Sequence, residues 1–198
     1  MEIIIQPDAA TATEIAARIV ARLLREKPRA VLGLATGSTP LLLYRALAKM
    51  KLDWRNVTTF NLDEYIGLPL SHPASFRKYL KERFLEQVPP LKASHLIDGE
   101  GNPEEECTRL GALIAQFPID VALVGIGENG HLAFNDPPAV FDDPRTVKIV
   151  DLDIDCRQQQ VDDGCFASID EVPTRALTMS IPALLAGRVI FCCVPGEL

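Results

Sequence analysis

An α/β fold, a mostly parallel sheet with helices on both faces, is predicted by three observations. Short apolar runs alternate with amphipathic stretches along most of the chain. Several of those runs are continuously apolar and lack the in–out alternation of a half-solvated sheet, as expected of strands covered on both faces. Three strands end in loops that carry polar side chains where a plain connector would do, and ligands bind in such loops.

The elements follow in order. Thr11 to Lys27 carries Ile15, Ile19, Val20, Leu23 and Leu24 at helical spacing, and Pro28 closes it. Ala30 to Ala35 is a buried strand. Thr39 to Met50 is a helix with Pro40 in its first turn. Val57 to Leu62 is a strand. Ala74 to Val88 is amphipathic, with Phe76, Tyr79, Leu80, Phe84 and Leu85 on one side. Ser94 to Ile97 is a weak strand. Pro103 to Phe117 is a helix whose first turn holds Glu104 to Glu106, where the helix dipole favours acids. Ile119 to Ile126 is strongly apolar. Asp136 to Pro144, rich in proline and aspartate, is loop. Thr146 to Leu152, Arg175 to Ile181 and Arg188 to Val194 complete the strands. The alternation describes a Rossmann-like α/β sheet in one domain.

Bulk composition narrows the function. The 198 residues carry a formal charge of −7 with no basic run, which argues against nucleic acid and anionic membrane surfaces as partners. An anionic ligand therefore needs a local site. No stretch has the apolar length of a membrane span, and Met1 to Ala10 lacks the order of a signal peptide. Five cysteines (Cys107, Cys156, Cys165, Cys192 and Cys193) form no C-x-x-C pair. An odd number without a secretion signal points to free thiols in the cytoplasm, and no metal site is expected.

The first polar loop is Ala35-Thr36-Gly37-Ser38-Thr39-Pro40, between a strand and a helix. Glycine lets the backbone approach a ligand, the hydroxyls add donors, and a helix start offers free N–H groups, so the turn suits phosphate. The plainer alternative is a Ser/Thr helix cap. The lysine of a P-loop is missing, which argues against a nucleotide. The second loop, Phe60-Asn61-Leu62-Asp63-Glu64-Tyr65, places two carboxylates together at a strand end. One suits a general base; the alternative is a solvated pair. The third loop runs from Gly125 to Asp136, and its glycines bracket a polar cluster that leads into His131, with Asn129 and Gly130 just before it. Asn and Asp side chains near His131 suit fixing its tautomer; the alternative is a lone surface histidine, the reading preferred for His72 and His95.

All three loops, in this order, resemble the glucosamine-6-phosphate deaminase family. The resemblance runs through Leu32-Gly-Leu-Ala-Thr-Gly-Ser-Thr-Pro40, Phe60-Asn-Leu-Asp-Glu-Tyr-Ile-Gly-Leu68 and Gly125-Ile-Gly-Glu-Asn-Gly-His-Leu-Ala-Phe-Asn-Asp-Pro137. The related 6-phosphogluconolactonases share the fold but lack the Asp-Glu-Tyr and the Ala-Phe-Asn. The resemblance implies aldose–ketose isomerisation and deamination of a hexosamine 6-phosphate, giving a ketose 6-phosphate and ammonia, a reaction placed among hydrolases and isomerases. It implies Asp63 as the proton-transfer base and His131 as the ring-opening group, oriented by Asn129 and Asp136. Substrate and phosphate contacts fall to Thr36, Gly37, Ser38, Thr39, Glu64 and Gly130. No cofactor is implied, the partner is a small aminosugar phosphate, and a homo-oligomer is compatible with the family.

Three departures mark a divergent branch. Residue 129 is Asn where many members have Asp, and residue 136 is Asp where Glu is usual. A neutral Asn supports an imidazolium less than a carboxylate does. The phosphate-gripping arginine implied after residue 150 has only Arg157 as its candidate. The chain also stops at Val194-Pro195-Gly196-Glu197-Leu198, where the family continues. Residues 1–198 are thus expected to be one sugar-phosphate isomerase/deaminase domain lacking its C-terminal segment. The competing readings are a lactonase or other sugar-phosphate isomerase, and a non-enzymatic sugar-phosphate sensor.

Overall fold

A computed structural model of the chain describes residues 2–127 and 129–194. Helix α1 (Ala9–Glu26) begins where Asp8 accepts the Thr11 N–H. Strand β1 (Val31–Leu34), helix α2 (Ser38–Lys49) and strand β2 (Thr58–Asn61) follow. Strand β4 (Ala93–His95), helix α4 (Pro103–Gln116) and strand β5 (Val121–Val124) continue the alternation, and β8 (Val189–Cys192) ends it. These strands form one parallel sheet in the order β4-β2-β1-β5-β8. All residues of β1, β2 and β5 are buried, as a sheet covered on both faces requires. Helices α1 and α2 pack on one face through Ala17, Val20, Tyr44 and Leu47. Helix α4 packs on the other through Leu110 and Ile114.

The chain leaves this sheet at Leu62. Its N–H still bonds to the Leu34 carbonyl of β1, but its carbonyl accepts the Met179 N–H. The next residues, Asp63–Tyr65, form β3 of a second, antiparallel sheet in the order β3-β7-β6. Its other strands are β6 (Val147–Asp151) and β7 (Arg175–Met179). Asn61 shapes the crossing: its amide donates to the Asp63 carbonyl, and its oxygen accepts the Ile97 N–H. The expectation of a mostly parallel sheet therefore holds for five strands, while three belong to an antiparallel layer. The reading of Asp63-Glu64-Tyr65 as loop is corrected in the same way. Residues paired far along the chain decide this, and local periodicity does not register them.

Helix α3 is shorter than its pattern suggests, covering Phe76–Arg83. Phe84 breaks it at φ −139°, and a 3₁₀ turn over Leu85–Gln87 follows. The buried Phe84 ring stacks on Tyr44 at 4.8 Å and meets Trp54 edge-on at 5.5 Å, contacts that favour the break over another helical turn. Two helices lie where none was expected: α5 (Ile154–Asp162) and the short α6 (Ile181–Leu185). The apolar tail Arg188 to Val194 alternates, with Val189 and Phe191 packed on the α1–α2 core and Ile190 exposed. Pro195 to Leu198 and Glu128 lie outside the described residues. No helix among the described residues is long and apolar enough to cross a membrane.

Candidate active site

The sheet order places β1 between β2 and β5, the point where the chain reverses its direction of travel across the sheet. In open α/β sheets this switch point is where ligands bind, beyond the C-terminal strand ends. Leu34 registers with Asn61 on one side and Leu123 on the other. The three polar loops therefore leave adjacent strands side by side.

The first loop is a turn held from beneath. Gly37 occupies the N-cap position of α2 at φ +112°, with no side-chain cap bond. No side chain clash demands glycine, since nothing lies within 4 Å of an added Cβ; the left-handed backbone does. Ser38 is the first helical residue, so the Ser/Thr capping alternative is not the arrangement formed. The hydroxyls of Thr36, Ser38 and Thr39 and the first N–H groups of α2 remain available to an anion. Two phenols fix the turn: Tyr44 donates to the Ala35 carbonyl at 2.6 Å, and Tyr79 to the Gly37 carbonyl at 2.5 Å. Burial raises the Tyr79 phenol to about 12, so it stays a donor at neutral pH. Neither tyrosine was legible as a site residue, because each sits on the apolar face of its own helix.

Asp63 and Glu64 have opposite surroundings. Glu64 is fully buried. Its carboxylate accepts from Tyr65 N, Ser75 Oγ, Phe76 N, Arg77 N and Arg77 Nε. It caps the start of α3 and anchors the 9% exposed Arg77 guanidinium. Glu64 therefore has no capacity left for a ligand, and its expected substrate contact is withdrawn. Asp63 is nearly as buried, yet its Oδ1 has no hydrogen-bond partner among the described residues. Burial first, and the Glu64 charge second, push its pKa up from 3.8 to about 8. A carboxyl in this state takes up and returns protons near neutral pH.

The third loop folds tightly around its histidine. His131 Nδ1 lies 2.8 Å from Asn129 Oδ1 and 3.1 Å from Asp136 Oδ1. Both are acceptors, which assigns the proton to Nδ1 and leaves Nε2 free to accept one. Asn129 also receives the His131 N–H at 3.0 Å and donates to Asp136 at 3.1 Å. The ring lies directly on Gly127, where an added Cβ would come within 2.2 Å of Cε1. Gly130 makes the turn at φ +86° and spends its N–H on the Gly127 carbonyl. Its N–H is therefore not free for the substrate contact expected of Gly130.

Arg157, the expected phosphate grip, is engaged elsewhere. Its Nη2 donates to the carbonyls of Ile169 and Val172 at 2.6 and 3.0 Å, and its Nε is buried without a partner among the described residues. It ties α5 to the following segment. The side of α5 that faces the site is Cys156, whose thiol is pushed up to about 12 by burial and then by Asp136, with Asp63 a smaller contributor. Cys156 thus sits near both carboxyls, a placement that nothing in the cysteine spacing signalled. His72 and His95 play packing parts, His72 accepting from Ala74 N and His95 lying against Phe60. No group of side chains suited to a metal ion occurs among the described residues.

Known proteins resemble this chain in sequence and fold. A family model described as glucosamine-6-phosphate isomerases/6-phosphogluconolactonase matches residues 7–198. A glucosamine-6-phosphate deaminase of an Exiguobacterium strain is 36% identical over 198 residues, covering 100% of this chain and 76% of that protein. Glucosamine-6-phosphate deaminase 1 of Bacillus subtilis is 40% identical over 193 residues, covering 93% and 78%. Among solved structures, a monomeric glucosamine-6-phosphate deaminase superposes with a TM-score of 0.90 at 37% identity, covering 97% of this chain and 81% of that one. A 6-phosphogluconolactonase of Thermotoga maritima superposes at 0.77 with 22% identity, covering 96% and 81%, a likeness of fold alone. With the family match running through all three polar loops, the chain belongs to the glucosamine-6-phosphate isomerase/6-phosphogluconolactonase family.

Proposed function

We propose that the chain isomerises and deaminates a hexosamine 6-phosphate, glucosamine 6-phosphate first among them, to fructose 6-phosphate and ammonia. The carrying observation is Asp63: a buried carboxyl with an unpaired oxygen and a pKa near 8, at the strand ends that also carry a phosphate-suited turn and an oriented histidine. The turn Thr36–Thr39 holds the 6-phosphate against the start of α2. His131, with Nδ1 occupied, takes the C1 hydroxyl proton on Nε2 and delivers it to the ring oxygen, which opens the sugar. Asp63 then takes the C2 proton of the open aldehyde and returns it to C1. An amino proton passes to O1, so C1 becomes a hydroxymethyl carbon and the carbon–nitrogen pair at C2 an imine; water adds to C2 and ammonia leaves, forming the ketone. Acid–base groups suffice, since the amino-bearing carbon adjoins a carbonyl once the ring opens. Asn129 and Asp136 orient His131 throughout.

The deaminase names of relatives at 36–40% identity support this reading. The test is ammonia release from a panel of hexosamine 6-phosphates, with 6-phosphogluconolactone hydrolysis measured beside it. Ammonia from at least one panel member is the expected result. Lactone hydrolysis without ammonia from any member overturns the proposal in favour of the lactonase branch.

A further inference from the structure

The Asp63 carboxyl and the His131 turn come from separate parts of the chain, and one strand joins them. Thr178 of β7 is the residue directly opposite Asp63 in the antiparallel register. Opposed residues in such a pair share a face of the sheet, with Cα atoms about 5 Å apart. The fully buried Thr178 hydroxyl accepts the Phe134 N–H at 3.1 Å and donates to the Met179 carbonyl at 3.2 Å. One residue on, the Asn135 amide donates to Met179 O at 2.8 Å and back to Leu132 O at 2.9 Å. The Phe134 ring, between these two attachments, stacks on Phe76 at 5.6 Å and meets Tyr65 of β3 at 5.2 Å.

Ala133 lies between His131 and this attachment at φ +50°, the one non-glycine residue among those described with a positive φ. A side chain in the left-handed region is strained and persists only where its surroundings over-determine it. The Thr178 and Asn135 bonds on one side, and the Asn129–His131 bonds on the other, supply that determination.

We infer that Thr178, with Asn135, is a positioning residue that clasps the His131 turn onto β7 and so sets the placement of His131 relative to Asp63. The inference rests on the proton-transfer roles proposed above for those two groups. It also gives a physical reason for the Ala133-Phe134-Asn135 run beside the histidine: the strained alanine, the packed ring and the two-way amide are the parts of the clasp. Thr178 touches no reacting atom. Its hydroxyl acts through the backbone of residue 134.

The experiment compares Thr178→Val with Thr178→Ser in the full chain. Valine keeps the shape and branching suited to the strand but leaves the Phe134 N–H buried without an acceptor. The expected result is a kcat about tenfold or more lower in Thr178→Val. KM should stay within about twofold, because the phosphate turn stands on the other sheet. Thr178→Ser should recover most of the activity. Amide exchange supplies a readout independent of turnover: the Phe134 and His131 amides should lose protection in Thr178→Val and keep it in Thr178→Ser. Unchanged kcat in Thr178→Val, or a fall in thermal stability with no change in turnover per folded molecule, overturns the clasp. If the wild-type chain releases no ammonia, the proposed function fails on its own. Equal amide protection in the two variants would then overturn the clasp separately.

Discussion

The phosphate turn and the Asp63–His131 half of the site are assembled by different means. The turn is made largely by residues 35–44, with Gly37 bending the chain and Tyr44 fixing it; from farther along the chain come the Tyr79 hydroxyl and the Leu123 carbonyl, which accepts the Ala35 N–H. The other half draws on residues 61–65, 129–136, 156 and 176–179, held by bonds between residues far apart in the chain, such as Met179 N–H to the Leu62 carbonyl and Phe134 N–H to the Thr178 hydroxyl. Local assembly makes the first region tolerant, since its pieces remain neighbours whatever happens elsewhere. Long-range assembly makes the second region exact in position and exposed to remote change. The adjacent carboxylates show the contrast within one dipeptide. Glu64 has every lone pair engaged and supports the fold, whereas Asp63 is left unpaired for chemistry.

The largest expected effect falls on the long-range half. Asp63→Asn removes the base, and kcat should drop at least about 100-fold, the usual scale of general-base catalysis. The same change should stabilise the protein. The folded-state pKa of Asp63 is raised from 3.8 to about 8, so the fold favours the protonated form. Stability from this group is complete below about pH 4 and is lost progressively as pH rises through about 8. Asn cannot ionise. Its melting temperature should exceed that of wild type by a margin that grows between pH 4 and 8 and then levels off. Thermal melts across this range would disprove the assignment if the two proteins lose stability in parallel. In the wild type, kcat/KM should climb toward a plateau above about pH 8 as the free-enzyme carboxyl ionises.

Glu64→Gln tests the other member of the pair. It puts an amide among donors that a carboxylate satisfied, so stability should fall by about 3 kcal/mol, the lower end for breaking a buried pair. The melting temperature should fall by roughly 6–12 °C. A comparable loss of kcat at low temperature, with no loss of stability, would return Glu64 to the substrate.

The phosphate turn is expected to give smaller effects that appear in binding. Non-phosphorylated glucosamine should be a very poor substrate, and inorganic phosphate at millimolar levels should compete with the phosphorylated one. If rates at limiting substrate ignore phosphate, the turn is not an anion site. Tyr79→Phe removes one hydrogen bond to the Gly37 carbonyl, worth about 1 kcal/mol. It should raise KM about fivefold and leave kcat near wild type. A fall in kcat instead would show that the two halves of the site are coupled more tightly than their separate sheets suggest.

Much of the parallel layer was legible in the sequence because its cause is local. The runs at residues 30–35 and 121–124 are continuously apolar, helices 9–26 and 103–116 carry their own side-chain caps, and helix 38–49 shows its periodicity without one. The Thr36-Gly37-Ser38-Thr39 turn and the Asn129–His131–Asp136 cluster were legible for the same reason, their partners lying within a few residues. Tertiary structure alone decided the remainder. A burial pattern does not reveal that Leu62 bonds to one sheet through its N–H and to another through its carbonyl. Nor does it reveal that Glu64 meets Arg77, or that Arg157 is spent on two carbonyls. Two adjacent carboxylates are chemically alike in the sequence. Desolvation and the supply of hydrogen-bond donors separate them, and both are set by residues from other parts of the fold.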